Sequence, residues 1–144
     1  MLISTKGRYA LRILIDLAEH QTGEFISLRG IAQRQEISEK YLEQIMSTLN
    51  KAGYVRSIRG AQGGYLLTKL PEEYTVGMIL RLTEGSLAPV ACVEDEGASC
   101  EMASSCVTSI VYKKINEAVN GVVDGITLQD LLDWQDQGTG QYVI

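Results

Sequence analysis

Apolar residues recur at helical spacing along the first third of the chain. Ala10, Ile13, Leu14, Leu17 and Ala18 share one face, with Leu11 and Ile15 beside it, which predicts a helix over 6–20 capped by Ser4 or Thr5. Thr22-Gly23 breaks it, and Phe25-Ile26 reads as a short extended segment. Ser27 then caps a helix over 28–35, and Ser38 caps a third over 39–52, closed by Gly53. Two short helices joined by a turn at 35–37 make a helix-turn-helix. Ala32 is small where the helices cross, and Ile37, Leu42 and Ile45 face inward. Glu36 stands in the turn where glycine would be easier. From Tyr54 to Leu67 the pattern changes to two β-prone runs around Gly60, Gly63 and Gly64, a hairpin with a flexible tip. A helix-turn-helix followed at once by such a hairpin is a winged helix.

Beyond Pro71, Thr75 caps a helix over 76–83 that ends at Glu84-Gly85. A loop follows, then a long helix from about 104 to 119 or 120, with Ile110, Ile115, Ala118 and Val119 on its apolar side and Gly121 and Gly125 bracketing its end. Thr127-Leu128-Gln129-Asp130 is a capping-box variant that opens a last short helix through Trp134. The expected fold class is mainly α with a small β-hairpin wing. Its parts are a winged helix-turn-helix over 1–85, a cysteine loop over 86–106, and a long helix with a C-terminal helix over 104–144, all in one compact chain.

A chain of 144 residues is long enough for one domain with a real core. No apolar run approaches the roughly 20 residues that cross a bilayer. The basic-then-apolar N-terminus mimics a signal peptide, but Arg12 and Asp16 interrupt it and no cleavage site follows. It reads as an amphipathic helix of a cytoplasmic protein, with no membrane partner. The net charge of −5 hides an asymmetry: residues 1–69 carry +4 and residues 70–144 carry −9. A basic first half suits a polyanion.

In a helix-turn-helix the second helix enters the major groove and its first residues meet base edges. Here Ser38, Tyr41, Gln44 and Glu43 can face outward while Leu42, Ile45 and Leu49 face in. Gln44 suits adenine, and Glu43 can accept from cytosine N4. Ser38, Lys40 and Tyr41 suit phosphate. The wing offers Arg56 and Arg59, the latter beside glycines and able to enter a narrow A·T-rich minor groove. Lys6, Arg8 and Lys51 add phosphate contacts. The competing reading is a winged-helix protein–protein module with solvated charges. The charge imbalance and the polar helix start favour DNA. Glu39 and Glu43 oppose it, since each repels phosphate, and Glu43 makes better sense as a selectivity element that penalises sites offering no donor.

All three cysteines, Cys92, Cys100 and Cys106, fall within fifteen residues among acidic ones. Their odd number and a reducing compartment argue against a disulfide framework. Thiolates are the usual ligands of iron–sulfur clusters. Zinc prefers four ligands, and no CxxC pair or Cys/His pattern is present. A thiol switch is the alternative, but Glu94, Asp95, Glu96 and Glu101 would raise the thiol pKa values and slow attack. Three inert cysteines would belong in a core, not a polar loop. An enzyme is not expected: there is one histidine, His20, more in keeping with a capping or solvated role, and no phosphate-binding motif.

Ser4-Thr5-Lys6-Gly7-Arg8-Tyr9-Ala10, Ile37-Ser38-Glu39-Lys40-Tyr41-Leu42-Glu43-Gln44, Ser57-Ile58-Arg59-Gly60-Ala61-Gln62-Gly63-Gly64-Tyr65-Leu66-Leu67, Glu84-Gly85, the cysteine trio and Ile126-Thr127-Leu128-Gln129-Asp130-Leu131 carry a resemblance over nearly the whole chain. It resembles the winged-helix bacterial regulators that include IscR, NsrR and CymR, and within them the iron–sulfur regulator branch of IscR. The resemblance implies a homodimer on a palindromic double-stranded DNA operator, with the long helix as dimer interface. It implies Arg59 in the minor groove and an iron–sulfur cluster on Cys92, Cys100 and Cys106, with 2Fe-2S favoured over 4Fe-4S. It also implies a role for Glu43 where cluster state tunes sequence preference. Two departures stand out. The IscR-like pattern has a histidine three residues after the last cysteine, where this chain has Ser109, and the NsrR-like pattern has a carboxylate where this chain has Arg8. Ser109, Glu101, one of Glu94, Asp95 and Glu96, or a ligand from outside the loop remain as candidates to complete the site. The CymR branch implies a cluster-free repressor of cysteine or sulfur metabolism, controlled by a protein partner.

Overall fold

The computed structural model describes residues 2–94 and 106–142, the side chains of residues 139–142 excepted. Expectations for Cys100, Glu101 and the acidic residues Asp95 and Glu96 therefore lie outside the described residues. Three helices lead: α1 (Thr5–Glu19), α2 (Leu28–Gln35) and α3 (Glu39–Lys51). Each starts where the sequence supplies a serine. The hydroxyls of Ser4, Ser27 and Ser38 accept from the amides of Gly7, Gly30 and Tyr41, each at 3.1 Å, satisfying N–H groups that a helix start leaves without partners. In the turn, Glu36 adopts a left-handed φ of 55°, the one positive φ on a non-glycine among the described residues. Its amide still closes back on α2, at 3.3 Å from the Gln33 carbonyl.

Strands β1 (Val55–Ile58) and β2 (Gly64–Leu67) pair antiparallel, from Val55 opposite Leu67 to Ile58 opposite Gly64. The extended segment predicted at Phe25-Ile26 is added as an edge: Ile26 and Tyr65 exchange both backbone hydrogen bonds, at 2.9 and 2.8 Å. The chain approaches so closely here that a Cβ on Gly64 would collide with the Ile26 carbonyl, so glycine is required by space. A short 3-10 turn, Pro71–Glu73, leads into α4 (Val76–Glu84), capped by Thr75. A second 3-10 turn, Ala91–Val93, precedes α5 (Thr108–Gly125) and α6 (Leu128–Tyr142).

The core is built on the predicted α1 face. Ala10, Ile13, Leu14 and Leu17 pack with Ile31, Leu42, Ile45, Met46, Leu49, Val55, Ile79 and Leu128, each large side chain stabilising by roughly 1.5–3 kcal/mol on burial. Two polar groups inside or beside this core escape a reading of apolar pattern. Asp16 is 1% exposed and receives Arg34 through both guanidinium arms, at 2.9 and 2.7 Å, and the Gln35 amide at 2.9 Å. Tyr74 is fully buried, and its hydroxyl donates to the Tyr54 carbonyl at 2.6 Å while accepting from the amides of Thr68 and Lys69.

Two boundaries differ from expectation. The long helix begins at Thr108, not 104, and passes through Gly121 to Gly125. Gly121 does not end it because tertiary contacts hold the following turn. Arg81 of α4 binds both oxygens of Asp124 at 2.6 and 3.0 Å and the Asn120 side chain at 2.8 Å. The last helix continues past Trp134 to Tyr142, so the glycines at 138 and 140 are helical. The predicted capping box is present: the Thr127 amide donates to Asp130 at 2.9 Å, and the Asp130 amide to Thr127 at 3.1 Å. Among the described residues no helix is long and apolar enough to cross a membrane.

Candidate DNA-binding surface and cysteine site

Helix α3 buries Leu42, Ile45, Met46 and Leu49 and turns Lys40, Glu43 and Gln44 outward. Ser38 is also exposed, although its hydroxyl is held by the helix cap. Helical spacing predicts an outward Tyr41, but this residue is half-buried: its ring meets the Tyr9 ring edge-on, with centroids 5.9 Å apart. The wing turns back over α3, and an open groove of about 570 Å³ lies between them. Glu43, Ser47 and Asn50 line one side, Ser57, Arg59 and Gly60 the other. Glu43 and Arg59, drawn from separate motifs, thus share one groove. Ser47 and Asn50 were not singled out by sequence, yet their spacing of four and seven residues from Glu43 marks the same polar face. Burial pushes the Tyr65 phenol up, and the negative charge of Glu43 pushes it further the same way.

The other cations are spread more widely. Arg56 lies on β1 with its guanidinium 5.6 Å from the centre of the Phe25 ring, so it braces the edge segment. Lys6 and Arg8 sit at the start of α1, Lys6 half-buried and Arg8 bonded to the Thr5 hydroxyl at 3.1 Å. Lys51 is exposed at the far end of α3, roughly 16 Å along the axis from Lys40 at 1.5 Å per residue.

On the opposite side of the sequence division, Cys92 lies in the 3-10 turn Ala91–Val93 and is half-buried. That turn is tied to α5 by the Asn116 amide, which donates to the Val93 carbonyl at 3.3 Å. Cys106 precedes α5, with its sulfur 3.0 Å from the Thr108 hydroxyl. Hydrogen bonds from the Thr108 side chain and then from the Ser109 and Thr108 amides hold the Cys106 thiol below the usual range. This reverses, for Cys106, the upward shift expected from the acidic loop, because local donors at a helix start favour the thiolate. Ser109 is buried and its hydroxyl donates to the Cys106 carbonyl at 2.7 Å. His20 closes α1, its Nδ1 2.8 Å from the Asp16 carbonyl oxygen, in keeping with a capping role. Cys92 and Cys106 are free thiols, and among the described residues no three metal-ligating side chains gather.

A family model described as Rrf2, iron-dependent transcriptional regulator, matches residues 3–134. CymR of Bacillus subtilis (strain 168) is 44% identical over 136 residues, covering 94% of this chain and 93% of that protein. The solved structure of CymR (YrzC), the global cysteine regulator of B. subtilis, superposes with a TM-score of 0.75 at 45% identity, covering 93% of this chain and 98% of the other. IscR of Serratia proteamaculans (strain 568) is 38% identical over 94% of this chain and 82% of its own. The T. potens IscR structure gives a TM-score of 0.74 at 40% identity, covering 96% of this chain and 90% of the other. With a winged helix that matches these regulators along nearly its whole length, the chain belongs to the Rrf2 family of DNA-binding transcriptional regulators.

Proposed function

We propose that the chain works as a homodimer on a palindromic operator and senses iron–sulfur cluster or redox status through Cys92, Cys100 and Cys106. The observation that carries this reading is the placement of two of the three cysteines against one helix: the turn that holds Cys92 is tied to α5 by Asn116, and Cys106 immediately precedes α5 with its sulfur 3.0 Å from the Thr108 hydroxyl. Local donors at Cys106 favour its thiolate, the form that ligates iron–sulfur clusters and also the form that a thiol switch uses. Cys92 and Cys106 would be two of the cluster's ligands and Cys100 the third. The cluster would supply a group that can be oxidised or lost, and so a signal. Support for the dimer comes from α5, where Ile110 and Val111 are 55% and 53% exposed and Val122 58%, an apolar stripe that a second copy would cover. Ser38, Lys40, Gln44 and Arg59 would meet DNA, with Glu43 tuning base preference and Lys6 and Arg8 meeting phosphates.

A second reading is a cluster-free repressor of cysteine or sulfur metabolism, governed by a protein partner or by thiol oxidation. The 44% identity to CymR of B. subtilis, the global cysteine regulator of that organism, favours it.

The DNA half is tested with a duplex recovered from a randomised pool by the native chain. Arg59→Ala should weaken binding to it about tenfold, as expected for loss of one charged groove contact. Unchanged affinity at physiological salt would remove Arg59 from the interface.

A further inference from the structure

Tyr9 has no role in the DNA surface assigned above, yet its ring sits between a buried anchor and Tyr41 at the start of α3. The anchor is Asp16, fixed by Arg34 and by the Gln35 amide. Gln35, the last residue of α2, turns its side-chain oxygen to the Arg12 Nε at 3.0 Å, and its backbone carbonyl accepts from the same guanidinium at 3.4 Å. Arg12 in turn lies 4.8 Å from the centre of the Tyr9 ring. The Tyr9 ring then meets Tyr41 edge-on at an interplanar angle of 77°. The groups are thus connected in a row: carboxylate, amide, guanidinium over a ring, ring against ring.

The row has a direction. Asp16 is inside the core and α2 is anchored to it, so the Arg12 guanidinium is set by the end of α2. Arg12 has no carboxylate partner among the described residues, and its guanidinium lies over the Tyr9 face. Tyr41 is the third residue of α3, where the helix would meet DNA. Helix-turn-helix geometry is set mainly by packing between its two helices, but here α1 adds a third hold on the first turn of α3.

We infer that Tyr9 is a positioning residue for DNA recognition, acting through its ring on Tyr41 and not through its hydroxyl on phosphate. The inference rests on the DNA-binding reading. An aromatic ring clamped between a cation and a second ring is sensitive to loss of the π face and indifferent to loss of a hydroxyl. A direct phosphate contact would show the opposite. It would also carry a counterion-release signature, since each neutralised phosphate steepens the dependence of log K on log salt by about 0.9.

The experiment compares the native chain with Tyr9→Phe and Tyr9→Leu. Each is titrated with the pool-selected duplex and with a scrambled duplex of equal length, over a series of salt concentrations. Tyr9→Phe should bind the selected duplex within about twofold of native. Tyr9→Leu should lose about five- to tenfold on the selected duplex, a loss in the range of an edge-on ring pair. It should keep its scrambled-duplex affinity and the native salt slope, so that the ratio of the two affinities falls. That ratio separates positioning from partial unfolding, which lowers both affinities together. An unchanged ratio for Tyr9→Leu would overturn the inference. So would a Tyr9→Phe variant as weak as Tyr9→Leu with a slope reduced by about one, because the hydroxyl would then be the contact. If the native chain recovers no duplex from the pool, the DNA-binding reading fails first and the inference falls with it.

Discussion

At the scale of single residues, two buried polar side chains do most to fix the structure. The Tyr74 hydroxyl closes three backbone groups at the base of the wing, the Tyr54 carbonyl where the chain enters it and the Thr68 and Lys69 amides where it leaves. Tyr74→Phe keeps the ring packing but strips the Lys69 amide of its partner and leaves the Thr68 amide and Tyr54 carbonyl only their long mutual bond of 3.4 Å, which should cost about 1–3 kcal/mol of unfolding free energy. Chemical denaturation checks this, and a loss below about 0.5 kcal/mol would mean that water replaces the hydroxyl. Asp16→Asn weakens a charged pair with Arg34, whose guanidinium the same carboxylate holds in its protonated form. Neither residue was legible from periodicity. Asp16 interrupts an apolar face and looks like a flaw until the pair with Arg34, eighteen residues on, is known. Tyr74 follows a proline turn, where pattern reading finds only a loop. Glu36 was visible, because a non-glycine in a tight turn is a local signal, and its left-handed φ shows the turn forms despite the residue.

At the scale of elements, the three serine caps and the glycine-tipped hairpin were plain in the sequence because caps and turns are local chemistry. The ends of α5 and α6 were not, and in α5 the reason is that a glycine stops a helix only where no outside contact holds the next turn. Arg81 across α4 is such a contact, and it lies more than thirty-five positions from Asn120 and Asp124. The apolar positions of α5 were legible, and the structure leaves Ile110 and Ile115 on the open side of the helix. The proposed pairing of α5 with a second copy predicts that Ile115→Glu gives a folded monomer by sedimentation, with native helical content. A dimer of native strength would place the interface elsewhere. A buried, unpaired carboxylate is costly enough, several kcal/mol, to break a contact built on apolar side chains.

At the scale of the whole molecule, polar contacts link the cysteine side to the DNA side. The Asn116 tether holds the turn that carries Cys92. Arg81 joins α4 to α5, and Glu84 of α4 accepts from the Ser4 amide and hydroxyl at 3.1 and 2.5 Å. The Arg81 guanidinium holds the Asp124 carboxyl below its ordinary range. A carboxylate with a depressed folded pKa contributes stability that is complete above its unfolded value, about 3.9, and is lost as pH falls through the lower folded value. The native chain should therefore melt above Asp124→Asn at pH 7, and the gap should close on acidification below about pH 4. Both partners are well exposed, so the difference should not exceed about 1 kcal/mol. A gap that stays constant to pH 3 would show that the pair is not what separates the two proteins. Charge also divides at this scale: +4 in residues 1–69 and −9 in residues 70–144 keep the DNA-facing half basic although the chain as a whole is acidic. The sequence leaves several candidates to complete the proposed cluster site, and one of them, Ser109, spends its hydroxyl on the Cys106 carbonyl.

The most direct test of the cysteine site is anaerobic purification of the whole chain with a visible spectrum and analysis of iron and acid-labile sulfide, beside the Cys100→Ala variant. A coloured native protein with near-stoichiometric iron and sulfide per subunit, and a folded but colourless variant, is the predicted result. A native protein that stays colourless and iron-free even after anaerobic reconstitution would contradict the cluster reading and leave the cysteine-metabolism repressor in its place.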